Sequence, residues 1–149
     1  MEYSKEEFDA KKTQVLKYIL YKKRTESEVR TKFCNSIDEN MLEDIIEYLK
    51  NAGYINDEEY IEKLVREYMN LKHMSIREIK NKVYSKGIYA DLIENYISNN
   101  REVLEEYELK SAKRLAEKKG EKEPEKLQRY LINKGFDSDV VQKILKGEE

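Results

Sequence analysis

"SKGIYADLIENYI", Ser85 to Ile97, reads as the end of one helix, a turn at Gly87 and the start of another, and "NKGFDSDVVQKIL", Asn133 to Leu145, repeats the pattern 48 positions later. Superposing the two pairs Ile79 with Leu127, Val83 with Leu131, Gly87 with Gly135, Ile88 with Phe136, Leu92 with Val140 and Ile97 with Leu145. Apolar residues recur every three to five positions on both sides of the glycine, the spacing of two amphipathic helices that bury stripes on the same side. Glycine at the junction lets the first helix end at positive φ, where another side chain costs about 1 kcal/mol or more.

A third copy lies upstream, one residue shorter at the turn, with Val29, Phe33, Ile37, Met41, Leu42, Ile45 and Ile46 at the corresponding apolar positions. "CNSID" replaces the glycine there, and Asn35 is the expected left-handed substitute. Helix starts recur too: "TESE" (Thr25 to Glu28) and "SIRE" (Ser75 to Glu78) are capping boxes, and "EPEK" offers Pro124 at a first helical position. An amphipathic stretch precedes each pair, over Phe8 to Tyr21, Glu58 to Leu71 and Val103 to Lys119. The expected fold is therefore all-α, three tandem three-helix repeats over residues 1–56, 57–101 and 102–149 in an elongated, curved array.

The links differ. In "NAGYINDEEYIEKLV" Gly53 stops a helix, Tyr54 and Ile55 are expected to pack back, and Asn56 or Asp57 caps the next helix. "NNREVLEEYE" is more polar and offers a hinge between the second and third repeats.

Composition agrees with helices and argues against one thick core: of 149 residues 40% are charged and 39% hydrophobic, with one Pro and five Gly. Cys34 stands alone, which excludes an intrachain disulfide and a cysteine metal cluster; at the end of a helix beside Phe33 it reads as a half-buried thiol. "MEYSKEEFDAKK" holds no apolar run of signal length and no stretch approaches a membrane span, so a cytoplasmic protein without membrane contact is expected.

Catalytic chemistry finds little support. His73 is the single histidine and reads as a surface residue in a basic turn. Phosphate-loop, dinucleotide and His-Glu-x-x-His spacings are absent, so no enzyme activity and no cofactor, catalytic residue or metal ligand is expected. Most of the twelve tyrosines, Tyr54 and Tyr96 among them, read as core or rim residues in a chain with no Trp and three Phe, whereas Tyr84 and Tyr130 lie nearer basic side chains.

The net charge of -2 conceals opposed blocks. Lys11 to Arg24 carries six cations and no acid, Lys72 to Lys86 nets +4 and Lys110 to Lys134 nets +5, while Asp38 to Glu67 nets -7 and Gly87 to Glu108 nets -5. Cations gather where the first helix of a repeat leads into the second. Regular stacking would align them as one stripe, although acids at helix N-termini and lysines at C-termini also suit the helix dipole.

These motifs resemble the RecX family, bacterial regulators of the RecA recombinase. The resemblance runs from about Val15 to Leu145 and rests on "RTESEVRTKF", "LKNAGYINDEEYIEKLV", "IREIKNKVYSKGI" and "LINKGFDSDVVQKIL" in that order. It implies tandem three-helix units and a non-catalytic regulator, monomeric here, that lies in the groove of the recombinase–DNA filament and impedes ATP hydrolysis and strand exchange in recombination, DNA repair and the SOS response. Family members often have glycine where this chain has "NLKHMS", and many are more basic, which shifts the expected contact from DNA toward the recombinase. The residues expected to meet recombinase or DNA are Lys72, Arg77, Lys80, Lys82, Lys86, Lys110, Lys113, Arg114, Lys118 and Lys119. Two other readings stay open, a helix-turn-helix DNA binder and a helical protein-binding scaffold, both acting without recombinase. Against the first, the helix that would enter the major groove reads "DENMLEDIIEYL" or "YADLIENYI", which is acidic.

Overall fold

A computed structural model of the chain describes residues 3–71 and 73–147. Among the described residues there are nine α-helices and no strand: α1 (Lys5–Tyr21), α2 (Glu26–Phe33), α3 (Glu39–Asn51), α4 (Asp57–Leu71), α5 (Ile76–Tyr84), α6 (Ala90–Asn99), α7 (Arg101–Lys119), α8 (Pro124–Asn133) and α9 (Ser138–Leu145). Successive trios pack with the first helix of each against its third. The all-α repeat architecture read from the apolar spacing is the one observed.

Three separate apolar clusters hold it together. The first, around Val15, Val29, Ile45 and Leu49, is the largest; the second centres on Ile61, Ile79, Val83 and Ile93; the third has only Ala112, Leu131, Phe136 and Val141 fully inside. Leu104, on α7, belongs to the second cluster, and Ala112, two turns later, to the third, so α7 is shared between cores. The accessible surface is 10089 Å², against about 8,000 Å² expected of a compact monomer of this mass. The excess is the signature of an extended array of small cores.

Local chemistry places most helix ends. Thr25 forms the complete capping box with Glu28, whereas Ser75 makes only its own half, accepting from the Glu78 N–H. Gly53, Gly87 and Gly135 all sit at positive φ, as the turns require. Asn35 does not: no residue other than glycine has positive φ among the described residues, and the first-repeat turn closes instead by Ser36 and Ile37 N–H groups donating to the Phe33 carbonyl. Ile55 packs back on the first core, but Tyr54 points outward at 44% exposure, and the Cys34 thiol is exposed rather than half-buried. The expected hinge is absent in form, because only Asn100 separates α6 from α7 and Leu104 anchors the start of α7 in the second core.

The repeats meet at two joints built the same way. Thr25 and Ser75, both fully buried, accept from the amides of Glu28 and Glu78 at 3.1 Å. Each hydroxyl then donates across the joint to the carbonyl just before the next repeat's glycine, Thr25 to Lys86 and Ser75 to Lys134, both at 2.8 Å. A carboxylate completes each joint from the following repeat's first helix: Asp57 accepts from the Glu26 N–H at 3.0 Å, and Glu108 from the Ile76 N–H at 2.8 Å. Asp57 was one of two expected caps for its own helix; Asn56 does that work, bonded to the Glu59 N–H, and Asp57 reaches back to α2 instead.

The glycines are needed at the joints for space as well as for φ. A Cβ at Gly87 would fall 2.4 Å from the Ser27 Cβ, and one at Gly135 2.7 Å from the Ser75 Oγ, whereas Gly53 has nothing within 4 Å. Gly53→Ala therefore isolates the backbone term, about 1–2 kcal/mol. Gly87→Ala is expected to cost at least about 1 kcal/mol more than that, measured as the shift in urea unfolding free energy. Equal losses at the two positions would show that the joint tolerates a methyl group.

Candidate partner-binding surface

Helical spacing decides which cations act together. On α5, Arg77, Lys80 and Tyr84 share one flank, while Lys82, two residues and about 200° on from Lys80, faces away. That flank opens onto a groove of about 1070 Å³ bounded by α5, α6, α7 and α9 at the second joint. Lys80 is already engaged, its ammonium 2.6 Å from Glu94, and the Tyr84 hydroxyl donates to the same carboxylate at 3.4 Å. The Lys80 hydrogen bond holds Glu94 below the usual carboxylate range. Arg77 lies against Gly135 across the joint.

Glu108 forms part of this groove's lining with Asp137 and Asp139. It is 3% exposed, and its two oxygens accept from the Ile76 N–H at 2.8 Å and the Asp137 N–H at 3.3 Å. Burial pushes its pKa up against those two hydrogen bonds, and burial does the same to Asp57 at the first joint. Both carboxylates thus cap a neighbouring helix at a desolvation cost, because a buried helix start leaves amides with no water to bond.

The remaining expected contacts fall elsewhere. Lys72 lies outside the described residues. Lys86 is half-buried at the first joint. Lys110, Lys113, Arg114 and Lys118 occupy the exposed side of α7, with Lys110 paired to Glu106 at 3.1 Å and Arg114 near Glu117 at 3.9 Å. Lys119 stands over the Tyr130 ring at 5.1 Å, with Lys134 on the same ring at 5.7 Å. The structure therefore sorts the described candidates into the first joint, which holds Lys86, a groove at the second joint, an outer face of α7 and a cluster around Tyr130, with Lys82 apart from all four. The continuous stripe expected from the charge blocks is interrupted by Lys82 and by the acids of the groove.

Three cations at the first joint were passed over. Lys22, Lys23 and Lys63 line a cleft together with Lys86. The signal was the run from Lys11 to Arg24, but nothing local indicates that its end meets Lys63 and Lys86 from the next repeat. Among the described residues no group of His, Cys, Asp and Glu is placed to hold a metal ion, and no helix is long and apolar enough to cross a membrane. On α3 the outward side chains include Glu39, Glu43, Asp44 and Glu47, all exposed, so its solvent face carries the wrong sign for a phosphate groove.

Comparison with known proteins places the fold among bacterial regulators. Residues 105–145 match the family model described as RecX, third three-helix domain. The chain is 31% identical over 139 residues to the regulatory protein RecX of Finegoldia magna, covering 87% of this chain and 67% of that protein. It is 28% identical over 142 residues to that of Clostridioides difficile, covering 90% and 66%. Among curated relatives the matched share of the relative's length runs from about half, 49% in Staphylococcus carnosus, to about two thirds. The crystal structure of RecX from Lactobacillus salivarius superposes with a TM-score of 0.84 at 26% identity, covering 95% of this chain and 96% of that one.

The carboxylate at the second joint gives a signed pH dependence. Glu108 keeps its proton to higher pH in the native state than in the unfolded chain, whose value is near 4.5. From pH 4.5 up to its raised native value the native state binds more protons, so stability falls as pH rises. Glu108→Gln is expected to remove that decline, measured as unfolding free energy against pH relative to wild type. Glu108→Ala, which strands the Ile76 and Asp137 amides, is expected to cost about 2–3 kcal/mol near pH 4.5, and less as pH rises through the raised native value, because it too lacks the titrating group.

Proposed function

The chain belongs to the RecX family, and from that premise we propose that it regulates the RecA recombinase without catalysis, by lying in the groove of the recombinase–DNA filament and slowing its ATP hydrolysis and strand exchange. Several relatives carry the name regulatory protein RecX, which supports the regulatory role. The observation that carries the rest is the repeated joint: three small cores are tied end to end through the Thr25–Lys86 and Ser75–Lys134 bonds, giving an extended body suited to following a groove. Binding distributed over several modest patches gains affinity through multivalency, with no deep pocket needed.

In this reading the partner is the filament, with DNA reached inside it, and the protein acts as a cytoplasmic monomer. Arg77 and Lys80 face the partner from the second joint, while Lys110, Lys113, Arg114, Lys118 and Lys119 serve the outer side of the third repeat. The acidic exposed face of α3 favours this over major-groove reading of bare duplex by that helix.

The test is inhibition of DNA-dependent ATP hydrolysis by recombinase filaments. Arg77→Glu with Lys80→Glu is expected to raise the half-inhibitory concentration about tenfold, equivalent to ~1.4 kcal/mol, with helix content unchanged. Unchanged inhibition would remove both residues from the binding surface. Sequence-specific, salt-sensitive binding to duplex in the absence of recombinase would replace the filament reading with an independent DNA binder.

A further inference from the structure

Two exposed helix faces of opposite sign lie in different repeats. On α3, Glu39, Glu43 and Glu47 recur at every fourth residue, with Asp44 beside them and Lys50 the one cation of the helix; all four acids are exposed. On the second half of α7, Lys110, Arg114 and Lys118 recur at the same interval, with Lys113 and Lys119 beside them and Glu117 the one carboxylate; all five cations are exposed. Four residues advance a helix by about 6 Å, so each helix carries a row of three like charges with the same rise. Glu39, Glu47 and Lys118 make no ion pair among the described residues. Lys110 and Arg114 pair with Glu106 and Glu117 of their own helix, in the open, and exposed pairs of that kind exchange at little cost.

One chain cannot join its own two faces. α3 packs in the first core and this half of α7 in the third, with the second repeat between them. Nor does a second copy extend the rod by another joint of the kind already present. Where Ser75 and Ile76 supply a hydroxyl and an N–H at the second joint, the α8 start has Glu123 and Pro124, which offer neither.

We propose that the acidic face of α3 and the basic face of α7 dock two copies of this chain, the first repeat of one against the third repeat of the next. Charge selects the occupant. The α3 acids repel phosphate, whereas the α7 row matches them in sign, number and spacing. Because the two faces differ, the contact is heterologous, and each pair keeps one unused face at either end to which a further copy adds. Exposed ion pairs are individually weak and screened by salt, so the contact forms where copies are already held close. Copies lying side by side along one filament meet that condition through their raised effective concentration, and their binding becomes cooperative. The inference rests on the proposed recombinase role only for that consequence, with the outer side of the third repeat facing the neighbouring copy. The contact itself is tested without recombinase, so failure here leaves the regulatory reading standing, and failure there leaves this contact standing.

The experiment is sedimentation velocity of the full chain from micromolar to millimolar protein at about 10 mM and about 150 mM salt, where the screening lengths are ~30 Å and ~8 Å. The sedimentation coefficient of wild type is expected to rise with concentration at the lower salt and far less at the higher. Glu39→Lys with Glu47→Lys, and separately Arg114→Glu with Lys118→Glu, are each expected to weaken association at least about tenfold. An equimolar mixture of the two variants is expected to associate again, because each supplies the unaltered face that the other lacks. Glu102→Lys with Glu125→Lys changes the net charge as the α3 variant does, at exposed positions off both rows, and is expected to associate as wild type does. Circular dichroism checks that helix content is the same in every variant. A wild-type coefficient that stays flat to millimolar protein at low salt overturns the proposal. Association that survives both reversals overturns it as well, and so does equal loss in the control, which assigns the effect to net charge.

Discussion

A single hydroxyl at each joint is bonded twice: it accepts from the first turn of its own helix and donates to the turn of the next repeat. Helix starts ordinarily lie in water because their first amides have no partner inside the helix. Here the starts of α2 and α5 are buried, with Thr25 and Ser75 wholly inaccessible. Burial of that kind leaves amides that need protein partners in place of water. The neighbour supplies part of the match, through Asp57 on one joint and Glu108 on the other. One repeat's helix start is therefore complete only when the next repeat is in place.

That dependence explains how such small cores coexist with a long surface. The third cluster buries few apolar side chains completely, too few to hold a free-standing three-helix unit against the entropy of ordering it. Stacking repeats supplies the missing interface energy, as in other repeat architectures. The two joints share a skeleton and differ in what they display. The first gathers lysines from both repeats, whereas the second sets Arg77 and Lys80 among Glu94, Asp137 and Asp139. A rod built this way offers a cationic cleft at one joint and a mixed groove at the other.

Much of this was legible in the sequence because it is written at short range. Apolar residues three to five apart marked the helices, Gly87 and Gly135 marked the turns, and Thr25 and Ser75 announced caps from the residues that follow them. What escaped depends on partners far along the chain. Asp57 looks like a cap for its own helix, and only the fold reveals that it faces Glu26 across a joint. Glu108 reads as one of many surface carboxylates on α7, yet it is buried because the α5 start and the α9 entry converge on it. Asn35 failed as a left-handed residue for a physical reason: with one residue fewer, the turn closes on the Phe33 carbonyl without reversing φ. The cationic cleft was half visible, as a run of lysines whose end meets residues about 40 and 60 positions later. Whether cations align was never decidable from charge blocks alone, since two residues along α5 turn Lys82 away from Lys80.

Native-state hydrogen exchange of the joint amides tests the coupling of the repeats most directly. The Glu26, Glu28, Ile76 and Glu78 N–H groups sit at helix starts, where exchange is normally fast. They are expected to be protected nearly as well as core amides such as that of Ile45, opening only with the repeats themselves. Rapid exchange at these four amides while the three cores stay protected would show that the repeats separate freely, and the joined rod would not stand.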